Sequence, residues 1–370
     1  MRKHHPENER TKRRYCEYLK HAKQLSDSSI DQVLAAIADF EGVTGYRDFR
    51  KFRIELAQKY KRALGERNNP ETGKPLAKAT ISSRLMALKA FFEWLAGQPG
   101  FRSKLTYSDA EYFRPSANDE RIAKAVREKP IASVEQIRHV IATMPISTDI
   151  ERRDRALIAF TLLVGARDNA IASLSLKHVD LERRIVFQDA RDVRTKNRKT
   201  FTTWFFPVGA DVETVVADWV LFLKNERAFG QDDPLFPATK VKLGENGFEA
   251  AGLDRQHWKN AAAIRRIFKA AFAGAGLPYV NPHSFRNTLV ELGESLCSTP
   301  EEFKAWSQNL GHEHVLTTFT SYGAVVGHRQ AEIFDRLRTR QGTVVSDTVD
   351  GLDNEAVLAL LATRLRSSTA

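Results

Sequence analysis

Apolar and polar positions divide the chain into a helical first third and a mixed remainder. "RRYCEYLKHAKQLS" leads into "DSSIDQVLAAIADFEG", where Asp27 or Ser28 can cap a helix and Gly42 can stop it. "YRDFRKFRIELAQKYKRALG" predicts a further helix, and "RNNPETGKPLA" is a loop of turn-forming residues. A fourth helix opens at Thr80 in "TISSRLMALKAFFEWLAG". It sets Leu85, Leu88, Phe92 and Leu95 on one face at three- and four-residue spacing. Periodicity lapses over residues 101–130, a charged stretch ending "AKAVREKP" that reads as an interdomain linker.

The helical period restarts at "SVEQIRHVIATMP", with Ser133 placed to cap and Glu135 and Gln136 in the first turn. "RRDRALIAFTLLVGARDNAIASLSLKHVDLE" predicts a buried helix, a break at Gly165 and another helix. "RIVFQDA" and "TFTTWFFPV" are rich in β-branched and aromatic residues and predict strands, joined by the polar turn "RDVRTKNRK". Helices return at "RQHWKNAAAIRRIFKAAFAGAG", "SFRNTLVELGESL" and "PEEFKAWSQNLG". Near the end, "DNEAVLALLATRL" carries an apolar stripe of Val357, Leu358, Leu361 and Leu365, suited to its own domain or to a neighbouring subunit.

Charge sharpens this division. Residues 1–130 hold 27 Lys and Arg against 17 Asp and Glu, whereas residues 131–370 hold 30 against 29. Nearly all of the net +11 therefore sits in the first third, which favours a polyanion such as nucleic acid through counterion release. Basic residues recur off the apolar stripes there: Arg47, Lys51, Lys59 and Arg62 on the third segment, Lys78, Arg84 and Lys89 on the fourth. Solubility faces on a plain helical bundle are the bland alternative. No run of about 18 apolar residues is present, so no membrane span is expected. The charged start "MRKHHPENERTKRRY" is unlike a secretory signal, and Cys16 and Cys297 read as reduced thiols of a cytoplasmic protein.

Candidate chemistry lies in four separated pieces: Arg167 in "GARDNA", Lys196 in "RTKNRK", His283 and Arg286 in "HSFR", and His312 and Tyr322 in "LGHEHVLTTFTSY". Each alone is weak. A metal reading of His312 and His314 fails, because residues two apart lie about 200° apart on a helix.

The order of the pieces changes their weight. Arginine, hairpin lysine, His-x-x-Arg, Leu-Gly-His and tyrosine together resemble the tyrosine recombinase (phage integrase) family. "GARDNAIASLSLKHVDLERRIV", with Leu174, Leu176 and Asp180 in rhythm, is similar to the family's first-arginine box, and "PHSFRNTLVELGES" to its second. "KATISSRLMALKAFFEWL" is similar to the last helix of its core-binding domain.

The resemblance implies a multidomain, mainly α fold. An N-terminal helical (SAM-like) core-binding domain over 1–105 and a linker over 106–130 precede an α+β catalytic domain with a small antiparallel sheet over 131–338, and a tail with one helix over 339–370. The two domains would form a C-shaped clamp on double-stranded DNA, with Arg47, Lys51, Lys78, Arg84 and Lys89 among its contacts. It further implies a homo-oligomer, a tetramer acting on two sites, with no metal, cofactor or membrane partner.

The implied reaction suits these residue types. Breaking a phosphodiester without a metal needs a nucleophile (Tyr322), charge stabilisation on the phosphate (Arg167, Arg286) and a proton for the leaving oxygen (Lys196). Arginine forks onto a phosphate where lysine acts as a point charge. His283 suits proton transfer near neutral pH, and His312 can donate a hydrogen bond to the phosphate.

Three features depart from the family pattern. Ala170 stands where an acidic residue is usual, leaving Asp168 as a candidate carboxylate. Tyr322 follows His312 by ten residues, one more than the commonest spacing. Lys196 and Lys199 both fit the hairpin position, with the "TKN" context favouring Lys196. The reading is a DNA strand-transferase; alternatives are an inactive DNA-binding protein of the same fold and a type IB topoisomerase-like relaxing enzyme.

Overall fold

The computed structural model describes residues 4–70, 72–125, 131–244, 247–312 and 334. The chain divides into two compact units, Met1–Val126 and Arg127–Ala370.

The first unit is helical, with α1 Pro6–Glu17, α2 Asp27–Thr44, α3 Ile54–Gly65, α4 Lys78–Ala96, α5 Tyr107–Ala110 and α6 Ala117–Lys124. The α2 cap is Ser26, one residue before Asp27 and two before Ser28, the expected caps, and its Oγ accepts from the Ser29 amide at 3.4 Å. The helix runs through Gly42, whose φ is ordinary, and ends where Gly45 takes φ +73°. Leu85, Leu88, Phe92 and Leu95 of α4 are all buried, as their spacing requires. They join an aromatic core in which Phe92 stacks on Phe113 at 4.9 Å and meets Phe40 edge-on at 5.5 Å.

Phe113 corrects the expected linker. Residues 107–124 carry α5 and α6, and Leu105, Ala110 and Phe113 belong to the core of the first unit. An 18-residue helical period is invisible there because the two helices are short and interrupted.

The second unit comprises α7 Val134–Thr143, α8 Asp149–Val164, α9 Asp168–Ile171, α10 Ala210–Asn225, α11 Ala262–Gly274, α12 Phe285–Leu296 and α13 Pro300–Asn309. Ser133 caps α7 as its position suggested: its Oγ accepts from the Gln136 amide at 3.2 Å, and Gln136 Oε1 accepts from the Ser133 amide at 3.0 Å. Helix α8 is central, with Ala156 through Val164 all buried.

Strands β1 Val179–Asp180, β2 Ile185–Gln188 and β3 Phe201–Trp204 form an antiparallel sheet in the order β1-β2-β3. Ile185 stands opposite Trp204 and Gln188 opposite Phe201. A second hairpin, β4 Ala238–Gly244 with β5 Gly247–Asp254, was not anticipated. Residues 255–261 are outside the helix expected from Arg255, and Trp258 is buried in the core instead. Among the described residues no helix is long and apolar enough to cross a membrane.

Candidate active site

The site is assembled at the end of α8. Gly165 closes that helix at φ +62°, and a Cβ there would lie 2.8 Å from Leu289 Cδ1 and 2.9 Å from Leu310 Cδ2. Only glycine lets α12 and the Leu310 turn approach this closely. The chain then turns through Ala166 into Arg167, the residue before α9. The Arg167 guanidinium is half-buried and has no hydrogen-bond or ion-pair partner among the described residues; burial pushes its pKa down, though an arginine stays charged.

Arg286, in the first turn of α12, is 4% exposed. Its Nη1 donates to the Gly165 carbonyl at 2.6 Å, and its Nη2 donates to the Leu310 carbonyl at 2.5 Å and contacts His312 Nε2 at 2.9 Å. One guanidinium therefore ties together the chain ahead of Arg167, the chain ahead of His312 and the histidine itself. Gly311, at φ +70°, makes the last turn, where a Cβ would press on the Phe201 ring at 3.0 Å.

His312 is held neutral. Burial, reinforced by the positive charges of Arg286, Arg167, His283 and Lys196, pushes its pKa down to about 4. Because Nε2 faces a guanidinium N–H, it is the accepting nitrogen, which assigns the ring proton to Nδ1.

Lys196 begins the short turn Lys196–Arg198 in the β2–β3 connection, where Asn197 (φ +59°) and Arg198 (φ +51°) are left-handed. It is exposed and lines a cavity of about 10 Å³, room for roughly one water, together with Arg167 and Arg286. Lys199 does not line that cavity. His283 is exposed on the turn Pro282–Ser284, which Asn281 caps by accepting from the Ser284 amide at 3.1 Å. The structure thus gathers Arg167, Lys196, Arg286 and His312, and His283 is close enough to act electrostatically on His312. Tyr322, His314 and the tail stripe Val357–Leu365 lie outside the described residues.

Ala170 is buried and lines the same cavity. Asp168 does not serve the site in its place: its Oδ2 accepts from Arg265 of α11 at 3.0 Å (Nε) and 2.9 Å (Nη2).

The cavity also exposes residues that sequence reasoning missed. Gln188 donates to Thr203 Oγ1 at 3.2 Å, and both line it. Asn309 extends the sheet edge, its Oδ1 accepting from the Trp204 amide at 2.7 Å and its Nδ2 donating to the Trp204 carbonyl at 2.9 Å. The Thr195 hydroxyl is buried at the cavity with no hydrogen-bond partner among the described residues. Only Thr195, beside Lys196 in "RTKN", carried a sequence signal.

Of the five basic residues expected to meet DNA, three are paired within the first unit. Arg84 pairs with Asp39 at 2.8 Å, Lys78 with Asp119 at 2.7 Å, and Lys89 with Glu93 at 2.7 Å and Glu111 at 2.9 Å. Asp39 also accepts from Arg67 and from the Tyr60 hydroxyl, so Arg84 belongs to a structural cluster. Arg47 and Lys51 are exposed and in no ion pair among the described residues.

Residues 132–327 match the model of the phage integrase family. Tyrosine recombinase XerC of Escherichia coli (strain SE11) is 24% identical over 310 residues, covering 82% of this chain and 88% of its own. The fold is similar to that of a lambda integrase dimer bound to a COC′ core site (TM-score 0.58, 12% identity, covering 86% of this chain and 97% of that one). It is also similar to the Tn1549 transposon integrase in complex with transposon right end DNA (TM-score 0.54, 14% identity, covering 89% and 99%). The chain belongs to the phage integrase family and is a tyrosine-type site-specific DNA recombinase.

Proposed function

We propose that the chain cleaves and rejoins double-stranded DNA through a 3′-phosphotyrosyl intermediate on Tyr322. The observation that carries this reading is the cavity itself: Arg167, Lys196 and Arg286 line it, with no carboxylate among its lining residues. A row of cations running from buried Arg286 through half-buried Arg167 to exposed Lys196, without an acid beside it, suits one phosphate of a DNA backbone lying over the mouth of the cavity.

In the reaction the Tyr322 oxygen forms a bond to phosphorus while the bond from phosphorus to the 5′ oxygen breaks. A tyrosine phenol in water titrates at about 10, so Tyr322 needs a proton acceptor, and His283 takes the proton. Arg167 and Arg286 bear the charge that builds on the non-bridging oxygens, and His312, neutral, donates Nδ1–H to the phosphate. The departing electron pair on the 5′ oxygen takes a proton from Lys196. A second 5′-hydroxyl then reverses these steps on a new strand, so the bond energy is conserved. Double-stranded DNA is the partner, and a tetramer on two sites is the working assembly.

The test uses a nicked suicide duplex whose site is first selected by binding from a random-sequence duplex pool. The wild-type chain should form a covalent adduct and Tyr322→Phe should form none; an adduct that survives the substitution refutes the assignment. Absence of an adduct from the wild type would leave a DNA-binding protein without the reaction. Lys196→Ala should slow cleavage by ~10²–10⁴-fold.

A further inference from the structure

We propose that Arg194 is a positioning residue that holds Lys196 over the scissile phosphate; the proposal rests on the reading of Lys196 as the general acid. The connection from β2 to β3 runs over residues 189–200. It is far longer than the two to five residues of an ordinary hairpin loop, and a lysine in its middle has many places to be. A general acid must stay within hydrogen-bond reach of the oxygen it protonates, so something must restrain the loop.

Arg194 supplies that restraint. Its backbone amide donates to Ser173 Oγ at 2.9 Å. Its guanidinium donates to three carbonyls: Nη2 to Ala172 at 3.0 Å and to Trp258 at 2.6 Å, and Nη1 to Lys259 at 2.5 Å. Ala172 ends the short helix that Arg167 begins, so the clamp fixes the lysine loop to the element carrying the first site arginine. Trp258 is a buried core residue and gives the other side of the clamp a rigid wall.

Two residues beyond the clamp, Lys196 lines the cavity, and the left-handed pair Asn197 and Arg198 turns the chain back to β3. Lys196 is therefore held between a fixed point and a sharp reversal. An arginine suits the task because carbonyls from two segments need donors spread across a rigid fork, which a single ammonium lacks. Arg194 is exposed, so its truncation removes surface hydrogen bonds rather than apolar core packing.

The experiment compares single-turnover cleavage of ordinary suicide DNA with DNA carrying sulfur in place of the 5′-bridging oxygen. The sulfur leaves as a thiolate and needs no proton, so it bypasses the general acid. Lys196→Ala should be slow on the oxygen substrate and near wild type on sulfur. Arg194→Ala should show the same signature at smaller size, ~10–100-fold slower on oxygen, as expected for an acid displaced by about 1 Å, and within about threefold of wild type on sulfur. Arg194→Lys, which keeps the charge without the fork, should fall between. Cleavage of the sulfur substrate also reports the folded fraction of each variant, and Arg194→Lys decides the matter if the alanine variant fails to fold. Equal slowing on both substrates, or no slowing on either, overturns the role of Arg194 while leaving that of Lys196 standing. If sulfur fails to rescue Lys196→Ala, the general-acid reading falls and the proposal with it.

Discussion

Gly165→Ala tests whether the packing at the end of α8 builds the site. Two penalties can be worked from the structure. An L-residue at φ +62° costs about 1–2 kcal/mol relative to its relaxed backbone. The new Cβ, 2.8 Å and 2.9 Å from buried methyl groups of Leu289 and Leu310, adds the usual overpacking cost of about 1–3 kcal/mol. Together these give about 2–5 kcal/mol. In a unit of this size each kcal/mol moves Tm by about 2–4 °C, so a fall of about 4–20 °C is expected.

Calorimetry of the full chain should show only the transition of the second unit moving. The effect on chemistry should exceed the effect on stability. Two of the Arg286 acceptors, the Gly165 and Leu310 carbonyls, sit at the clash, so adduct formation measured at 20 °C (where the variant is still folded) should drop by ~10–100-fold. Gly274→Ala is the internal contrast: its Cβ would meet nothing within 4 Å and its φ is ordinary, so it should be neutral or stabilising by up to about 1 kcal/mol. A Gly165→Ala protein melting within 2 °C of the parent, with cleavage intact, would refute the claim that glycine is required there.

Other outcomes follow from the same geometry. With its folded pKa near 4 against an ordinary 6.5, His312 contributes stability that is complete above pH ~6.5 and lost as pH falls toward ~4, because the unfolded chain then binds the proton first. A ring-carbon NMR titration without DNA should place its midpoint well below 6, and a midpoint near 6.5 would contradict the burial. Arg84→Ala should destabilise the first unit through Asp39 while leaving the salt dependence of duplex binding nearly unchanged. Arg47→Ala and Lys51→Ala should each lower the slope of log K against log salt by up to about 0.9 if the side chain meets a phosphate, read by fluorescence anisotropy; the reverse ranking would reassign the binding face. Asp168→Asn should leave cleavage within about twofold, because its partner is the exposed Arg265 and such pairs contribute about 1 kcal/mol or less. A tenfold loss would restore Asp168 to the site.

Physical signals of unequal reach explain what was legible in the sequence. The stripe of α4 was readable because every member of Leu85, Leu88, Phe92 and Leu95 faces one core. The folding of residues 107–124 was not, since it depends on one ring, Phe113, finding Phe92 and Phe40 across the sequence. The hairpin β4–β5 does alternate, with Lys240 and Lys242 between Thr239, Val241 and Leu243, and glycines at its turn. Yet Leu243 and Phe248, opposite each other, are 77% and 81% exposed, so the alternation does not mark a buried face. A pattern that normally reports burial therefore fails as a guide in this ribbon.

The site divides along a related line. Arg167, Lys196, His283, Arg286 and His312 stand out in the sequence because the proposed chemistry restricts residue type, and restricted types leave a mark in sequence. What assembles them leaves none. Arg286 reaches a carbonyl 121 residues away at Gly165 and another 24 residues away at Leu310, and a backbone carbonyl has no side-chain signature. The guanidinium proposed to stabilise phosphate charge is also the group that ties the chain ahead of Arg167 to the chain ahead of His312. A loss measured at Arg286 then mixes two quantities, transition-state charge and site geometry. Arg286→Lys separates them in one direction only: it keeps a positive charge but cannot hold two carbonyls and His312 Nε2 in one plane. If that variant is as slow as Arg286→Ala while its His312 pKa stays low, geometry outweighs charge at this position.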